Sequence, residues 1–304
     1  MHIERRSFIA VCIISLYCVF PACGLKDSFT GTAVFGIHYE AAIEWDKELF
    51  TVTATVSLKT EGTMPSARNR AEKKVDDALP AILKEAFSSL RVDNYRFGRD
   101  AFYENPEMLA RISDICTPEK KQYARLTPDL SVLSVTYAFP LYPDIISVFI
   151  EHEEPIPLSP ALGWEPSSGN FSGILIYAPK GLPVYGEEVN ANLAPCLFPK
   201  IYDSKTNLIA SPAMVAPAVL MTRGFAGYVI SEYIATESNQ TENHEGEIQK
   251  RVGQSPLRIL ARGIFGTNRT DLILPDESVR TILSRQENID LIRQGKIMII
   301  VETD

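Results

Sequence analysis

The sequence is poor in the residues and motifs on which enzyme and metal sites depend. Its 304 residues include only five cysteines and four histidines. It contains no G-x-S-x-G elbow, no H-E-x-x-H, no G-x-x-x-x-G-K loop and no dinucleotide-type glycine pattern. These absences argue against the enzyme classes that carry such motifs. A Ser-His-Asp site assembled from distant positions stays open, because its geometry does not depend on sequence order.

Basic charge is also in short supply. Thirty lysines and arginines stand against 38 aspartates and glutamates, for a net charge of −8. Nucleic-acid binding needs a basic surface, so nucleic acid is excluded as a main partner. A composition of 45% hydrophobic and 22% charged residues is typical of a soluble globular protein. The length is sufficient for two domains with separate cores.

The N-terminus has the three parts of an export signal. Arg5 and Arg6 precede an apolar run from Phe8 to Phe20, which small residues follow. A positive start, a short apolar helix and a small-residue cleavage site are typical of a secretory signal. We therefore predict a signal peptide over residues 1–22, with the remaining chain outside the cytoplasm. An ordinary cleaved signal and an uncleaved anchor helix are the alternatives.

The cysteine at the end of this segment suggests a lipid anchor. Phe20-Pro21-Ala22-Cys23 resembles a bacterial lipobox, which implies cleavage before Cys23 and acylation, for example by palmitate. Each buried methylene contributes roughly 0.8 kcal/mol of membrane affinity, so several acyl chains anchor a protein durably. Cys116 and Cys196 lack a CxxC arrangement, and their pairing is left open.

The mature chain predicts an α+β fold of two small mixed modules. A tether is predicted over residues 23–31, followed by an N-terminal domain over 32–150. In this domain, apolar and polar residues alternate from Phe50 to Leu58, which predicts a strand. From Ser66 to Leu90 the apolar residues recur at helical spacing, which predicts an amphipathic helix. Residues 151–170 are acidic and proline-rich without periodicity, which indicates a linker. A C-terminal domain follows over 171–304. Strands and helices do not alternate strictly, and this favours α+β.

Several segments of the chain resemble a known family: FSGILIYAPKGL with LAPCLFPKIYD, VGQSPLRILARGIFGTNRTDLIL, IDLIRQGKIMIIVETD and ARNRAEKKVDDALPAILKEAFSSLRVDN. Together they resemble the small twenty-kilodalton outer-membrane lipoproteins and flagellar assembly protein T. The resemblance implies an exported, often lipidated α+β protein without known chemistry, with envelope or flagellar basal-body proteins as partners. A shared fold does not by itself fix a function.

Three histidines of the mature chain are candidates for chemistry. His38 lies in a segment with the alternating pattern of a strand and is interpreted as structural. His152 and His244 lie beside glutamates. Neither of these two has a second histidine or a cysteine at ligand spacing, so solvated charge runs are the favoured interpretation. We predict no metal and no cofactor.

The apolar segment from Pro212 to Met221 has two interpretations. A buried loop or short helix is favoured, because most apolar runs are core. The alternative is a partner surface that includes Val215, Leu220 and Met221, because exposed apolar surface marks interfaces.

The sequence therefore predicts a non-enzymatic, lipid-anchored envelope protein on the periplasmic face of a membrane, the outer membrane being favoured. It would act through protein–protein contacts. The alternatives are a periplasmic hydrolase with a non-local active site and a small-ligand-binding module with its site in the inter-domain cleft.

Overall fold

The computed structural model describes residues 25–33, 36–59, 66–161, 169–231 and 240–302, with side chains left undescribed at 240–244. The predicted signal peptide and Cys23 lie outside this range. So does part of the predicted linker. Among the helices of the described residues, none combines the length and hydropathy needed to cross a bilayer.

The first domain is built on a five-stranded antiparallel sheet. Its strands are β1 (Lys26–Ala33), β2 (Ile37–Glu44), β3 (Leu49–Ser57), β4 (Lys121–Leu126) and β5 (Val132–Pro140), in the order β1-β2-β3-β5-β4. The strict alternation in β3 places Phe50, Val52 and Ala54 in the core. This alternation directs every second side chain to the same face, which is why the sequence identified the strand.

The first domain also contains the helices α1 (Ser66–Ser88), α2 (Gly98–Glu104), α3 (Met108–Ile115) and α4 (Ile146–Phe149). The long helix α1 lies against the sheet, and the shorter helices pack against α1 or against one another. The apolar stripe of α1, which includes Ala71, Val75 and Ile82, is buried as its periodicity predicts.

The second domain contains these strands: β6 (Ile174–Ala178), β7 (Leu182–Pro183), β8 (Asn190–Ala191), β9 (Ile201–Tyr202), β10 (Leu208–Ala210), β11 (Gly227–Ser231), β12 (Leu257–Leu260), β13 (Gly263–Phe265), β14 (Asp271–Ile273) and β15 (Ile297–Glu302). Its helices are α5 (Pro217–Arg223), α6 (Gln240–Val252), α7 (Asp276–Leu283) and α8 (Gln286–Arg293).

The central sheet of this domain is parallel. Its order is β11-β15-β6-β12, and each adjacent pair runs in the same direction. A smaller mixed sheet has the order β10-β9-β14-β13, and β7 pairs with β8. Parallel strands are buried on both faces, which explains why β6 and β15 are almost continuously apolar.

The structure confirms an α+β architecture in two domains, and it corrects the predicted tether. Residues 26–31 do not form a free tether, because β1 already begins at Lys26 and pairs in full register with β2. Exposed and half-buried positions alternate along β1, as in an amphipathic edge strand. The polar composition of the strand obscures this pattern in the sequence. The carbonyl of Leu25 also accepts a hydrogen bond from the Trp45 N–H at 3.0 Å.

Candidate functional site

The two domains meet at a junction formed by backbone as well as side chains. The turn after α1 receives hydrogen bonds from the second domain, with Leu197 N–H to the Arg91 carbonyl at 3.2 Å and Phe198 N–H to the Val92 carbonyl at 2.9 Å. Asn268 N–H donates to the Asn94 carbonyl at 3.0 Å. A single apolar core continues across the junction. The domains are therefore packed as one body rather than joined only by a linker.

Asp93 fixes the conformation of this turn. Its Oδ1 accepts hydrogen bonds from the Tyr95 and Arg96 N–H groups, both at 2.9 Å. Its Oδ2 accepts one from Arg96 Nε at 2.9 Å. Burial alone would raise the pKa of Asp93, but these hydrogen bonds and the guanidinium charge outweigh it and lower the pKa.

Arg96 joins the turn to the start of the inter-domain segment. Besides Asp93, its guanidinium binds Glu104 of α2 at 3.0 Å and Glu151 at 2.8 Å. Burial would lower the pKa of Arg96, but the three carboxylates outweigh it and raise the pKa. Arg96 is thus fully charged and already paired.

A cleft of about 140 Å³ opens beside this network. Its lining combines charged, polar and apolar side chains: Asp93, Arg96, Phe149, Ile150, Glu151, His152, Phe198, Lys200, Ser211, Pro212 and Ala213. His152 Nε2 lies 2.8 Å from the Val215 carbonyl, to which a protonated Nε2 donates. Lys200 Nζ lies 5.9 Å from the centre of the Tyr95 ring. The cleft therefore lies between the domains, beside the predicted linker.

Behind the cleft, the carboxylate of Asp271 is buried and only partly hydrogen-bonded. Asp271 is fully buried, and its Oδ1 accepts hydrogen bonds from Lys200 N–H at 3.0 Å and from Thr270 Oγ1 at 3.3 Å. Its Oδ2 has no hydrogen-bond partner in the described part of the chain, and neither side-chain polar atom of the nearby buried Asn94 has one. Burial raises the pKa of Asp271 to about 7, against the opposing effect of these hydrogen bonds.

A second polar contact between the domains centres on Arg251 of α6. Its guanidinium donates to the Ile297 carbonyl at 2.8 Å and to the Arg223 carbonyl, and it pairs with Glu48 at 3.1 Å. Glu48 lies in the turn between β2 and β3 of the first domain, with a φ of 52°. Burial lowers the pKa of Arg251 and raises that of Glu48, whose pairing with Arg251 opposes the rise.

The structure separates the histidines that the sequence singled out. His38 is exposed on β2, where its Nδ1 lies 2.8 Å from Thr32 Oγ1. His152 lies in the cleft, together with Ser211 and two carboxylates. The side chain of His244 is outside the described residues. Within the described range, no group of three or more His, Cys, Asp or Glu side chains is arranged to hold a metal ion.

The apolar segment after Ser211 is mainly core. Val215 and Leu220 each have 0% exposed surface, while Met221 is 37% exposed. Val215 and Leu220 are therefore corrected from candidate partner surface to core, because both pack inside the chain. Of the three candidate residues, Met221 is the one that is exposed. Cys116 and Cys196 are both free.

The sequence did not single out Arg96, Lys200, Asp271 or Arg251. The only signal for Arg96 was its place in a charged turn directly after a long amphipathic helix. Such turns are usually solvated, so the charge pattern alone does not distinguish a buried network from a surface.

Comparison with known protein families identifies both domains. Residues 36–148 match the family model described as Treponema pallidum Tp0624, N-terminal domain. Residues 173–303 match the model described as Treponema pallidum Tp0624, second domain. Together the two matches cover most of the chain, in the same order. A search of curated proteins found no match.

Proposed function

Since this chain belongs to the bacterial family of Treponema pallidum Tp0624, whose N-terminal and second domains it contains in order, we propose that it is a lipid-anchored envelope protein that acts by contact and not by catalysis. The observation that carries this proposal is the signal-like sequence of residues 1–22, which is followed directly by Cys23. Arg5 and Arg6 followed by an apolar run favour export, and the lipobox-like end favours acylation.

The start of β1 constrains how such an anchor would hold the protein. Only Gly24 and Leu25 stand between Cys23 and the first residue of β1, Lys26. A chain of this length spans at most roughly 11 Å. An acylated Cys23 would therefore hold the first domain directly against the membrane surface. The protein would then contact partners in the adjacent envelope layer and not partners at a distance.

The charges of the cleft support binding over catalysis. Asp93 and Glu151 are both paired with Arg96, and the lowered pKa of Asp93 makes it a weak base. His152 Nε2 faces the Val215 carbonyl rather than a nucleophile. The ion pairs fix the turn after α1 to the start of the inter-domain segment, and the contact of His152 with the Val215 carbonyl links that segment to the second domain.

The partners we propose are envelope proteins. The segments that resemble flagellar assembly protein T favour a more specific set of partners, the proteins around the flagellar basal body. The membrane is a second partner through the anchor. The net charge of −8 argues against nucleic acid.

The anchor is tested by labelling cells with radioactive palmitate. We expect label in the wild-type protein, none in Cys23→Ala, and equal label in the control Cys116→Ala. We also expect the wild-type protein in the outer-membrane fraction. Equal labelling of wild type and Cys23→Ala, or an unprocessed product freely soluble inside the cell, would refute the proposal.

Partners are tested by affinity capture from envelope fractions followed by mass spectrometry. Basal-body proteins in the captured set would support the flagellar case. Other envelope proteins would support a general envelope role, and an empty set with correctly anchored protein would count against action by contact.

A second candidate function is hydrolysis, because His152 and Ser211 line the same cleft with two carboxylates. A fluorophosphonate probe labels an activated serine nucleophile. Labelling of the wild-type protein that is lost in both Ser211→Ala and His152→Ala would favour this candidate over the non-enzymatic one. The absence of labelling at Ser211 would remove it.

A further inference from the structure

One face of the parallel sheet is only partly covered. The face that carries Ile174, Ile176 and Ile299 belongs to the main core. On the opposite face, Leu175, Val229 and Met298 pack beneath Val252 of α6 in a separate small cluster. Because the register pairs Leu260 with Tyr177 and Tyr177 with Ile300, these three side chains continue the same face toward the carboxyl ends of the strands.

An apolar hollow of about 310 Å³ lies along this uncovered part. It is lined by Leu175, Tyr177, Arg258, Ile259, Leu260 and Ile300. Leu260 is 59% exposed, which is unusual for a leucine on a sheet. A second hollow of about 370 Å³ lies beside α6, and Arg258 also lines it.

The hollow borders an open sheet edge. Among the residues that the structure describes, β12 pairs with β6 alone, and the flanking bonds run from Leu257 N–H to the Gly173 carbonyl and from Ala261 N–H to the Tyr177 carbonyl, both at 2.8 Å. Residues of a strand alternate in the direction of their backbone groups. The N–H and C=O groups of Arg258 and Leu260 therefore point away from β6, where another strand can pair with them.

The charge along this edge is basic. Arg258 and Arg262 are both exposed, and neither forms an ion pair within the part of the chain that the structure describes. The carboxylate of Glu302, at the far end of β15, is already engaged by Tyr177 O–H and Lys180 N–H, both at 3.2 Å. Two copies of this edge would bring like charges together, which disfavours self-association.

From the edge, the hollow and the charge together, we propose that β12 binds an extended, acidic and apolar peptide segment of a partner protein by strand addition. The backbone of the segment pairs with Arg258 and Leu260. Its apolar side chains occupy the hollow beside Tyr177 and Ile300, and its carboxylates meet Arg258 and Arg262. Main-chain pairing provides affinity and the alternate side chains provide specificity. This inference rests on the proposed action by protein contact and names its surface.

The test uses detergent-solubilised full-length protein and a panel of capped octapeptides that alternate Val, Ile or Phe with Asp. Matched peptides carry Lys in place of Asp. We expect at least one acidic peptide to bind in fluorescence anisotropy and to slow amide hydrogen exchange of residues 257–261 at least tenfold. The Lys peptides should bind at least tenfold more weakly.

Charge reversal makes the test specific. Arg258→Glu should reverse the preference from Asp to Lys peptides, while the control Arg125→Glu on the edge strand β4 should leave it unchanged. Unaltered melting temperatures show that both variants are folded. The proposal is overturned if no acidic peptide slows amide exchange at residues 257–261, or if Arg258→Glu keeps the preference for Asp peptides. It is also overturned if sedimentation shows a dimer in which a second copy of the chain occupies this edge. None of these results depends on palmitate labelling, so failure of the anchor and failure of this surface are distinguishable.

Discussion

The most informative single substitution is Asp271→Asn. Asp271 is fully buried, and burial raises its pKa to about 7, whereas an unfolded aspartate has its ordinary value of 3.8. Three pKa units correspond to about 4 kcal/mol of differential interaction. Between these two pKa values the native state binds the proton that the unfolded state has released. Stability from this group is therefore fully present below about pH 4 and declines as the pH rises to about 7.

Replacement by asparagine removes this titration while keeping an Oδ1 that can accept the hydrogen bond from Lys200 N–H. The asparagine amide takes the place of Oδ2, which has no hydrogen-bond partner in the described part of the chain. A buried amide without a partner costs about 1–3 kcal/mol at every pH. The decisive quantity is thus the pH dependence of the stability difference, not its value at one pH.

The assay is urea unfolding at pH 5, 6, 7 and 8, followed by circular dichroism. We expect the wild type to lose about 3 kcal/mol relative to Asp271→Asn between pH 5 and pH 8. The control Asp77→Asn, on the exposed face of α1, should run parallel to the wild type. A difference between wild type and Asp271→Asn that stays constant within about 0.5 kcal/mol would refute the reasoning, because a perturbed buried carboxyl requires a pH-dependent difference.

Four further substitutions test packing and buried polar contacts. Val215→Asp should abolish cooperative thermal unfolding, because it buries an unpaired charge, whereas Met221→Asp should change stability by less than about 0.5 kcal/mol. The reverse order would contradict the core assignment. Gly98→Ala should cost about 3 kcal/mol or more in urea unfolding, because its Cβ would lie 1.9 Å from the Phe87 carbonyl oxygen; a near-neutral result would contradict this contact. Arg251→Leu should cost about 3–5 kcal/mol, because buried acceptors lose their donor, and an unchanged urea midpoint would contradict its role.

Local periodicity accounts for the elements that the sequence predicted well. The alternation of β3 and the apolar stripe of α1 each follow from a repeat that is visible within one segment. Elements without such a repeat were missed. β1 has a polar composition, and β11 is short and begins with glycine, so neither has a pattern that distinguishes it from a loop.

The sequence by itself determined the two-domain α+β architecture, and it provided the export and lipidation prediction, because both depend on the order and spacing of neighbouring residues. Only the tertiary structure decided which charged residues act together. Arg96 and Glu151 are 55 positions apart, and Arg251 and Glu48 are 203 apart. Along the chain these residues are indistinguishable from solvated surface charges. Burial at the junction of the domains fixes their partners, and it lowers the pKa of Arg251 and raises that of Glu48. This burial exists only after the two cores have packed against each other.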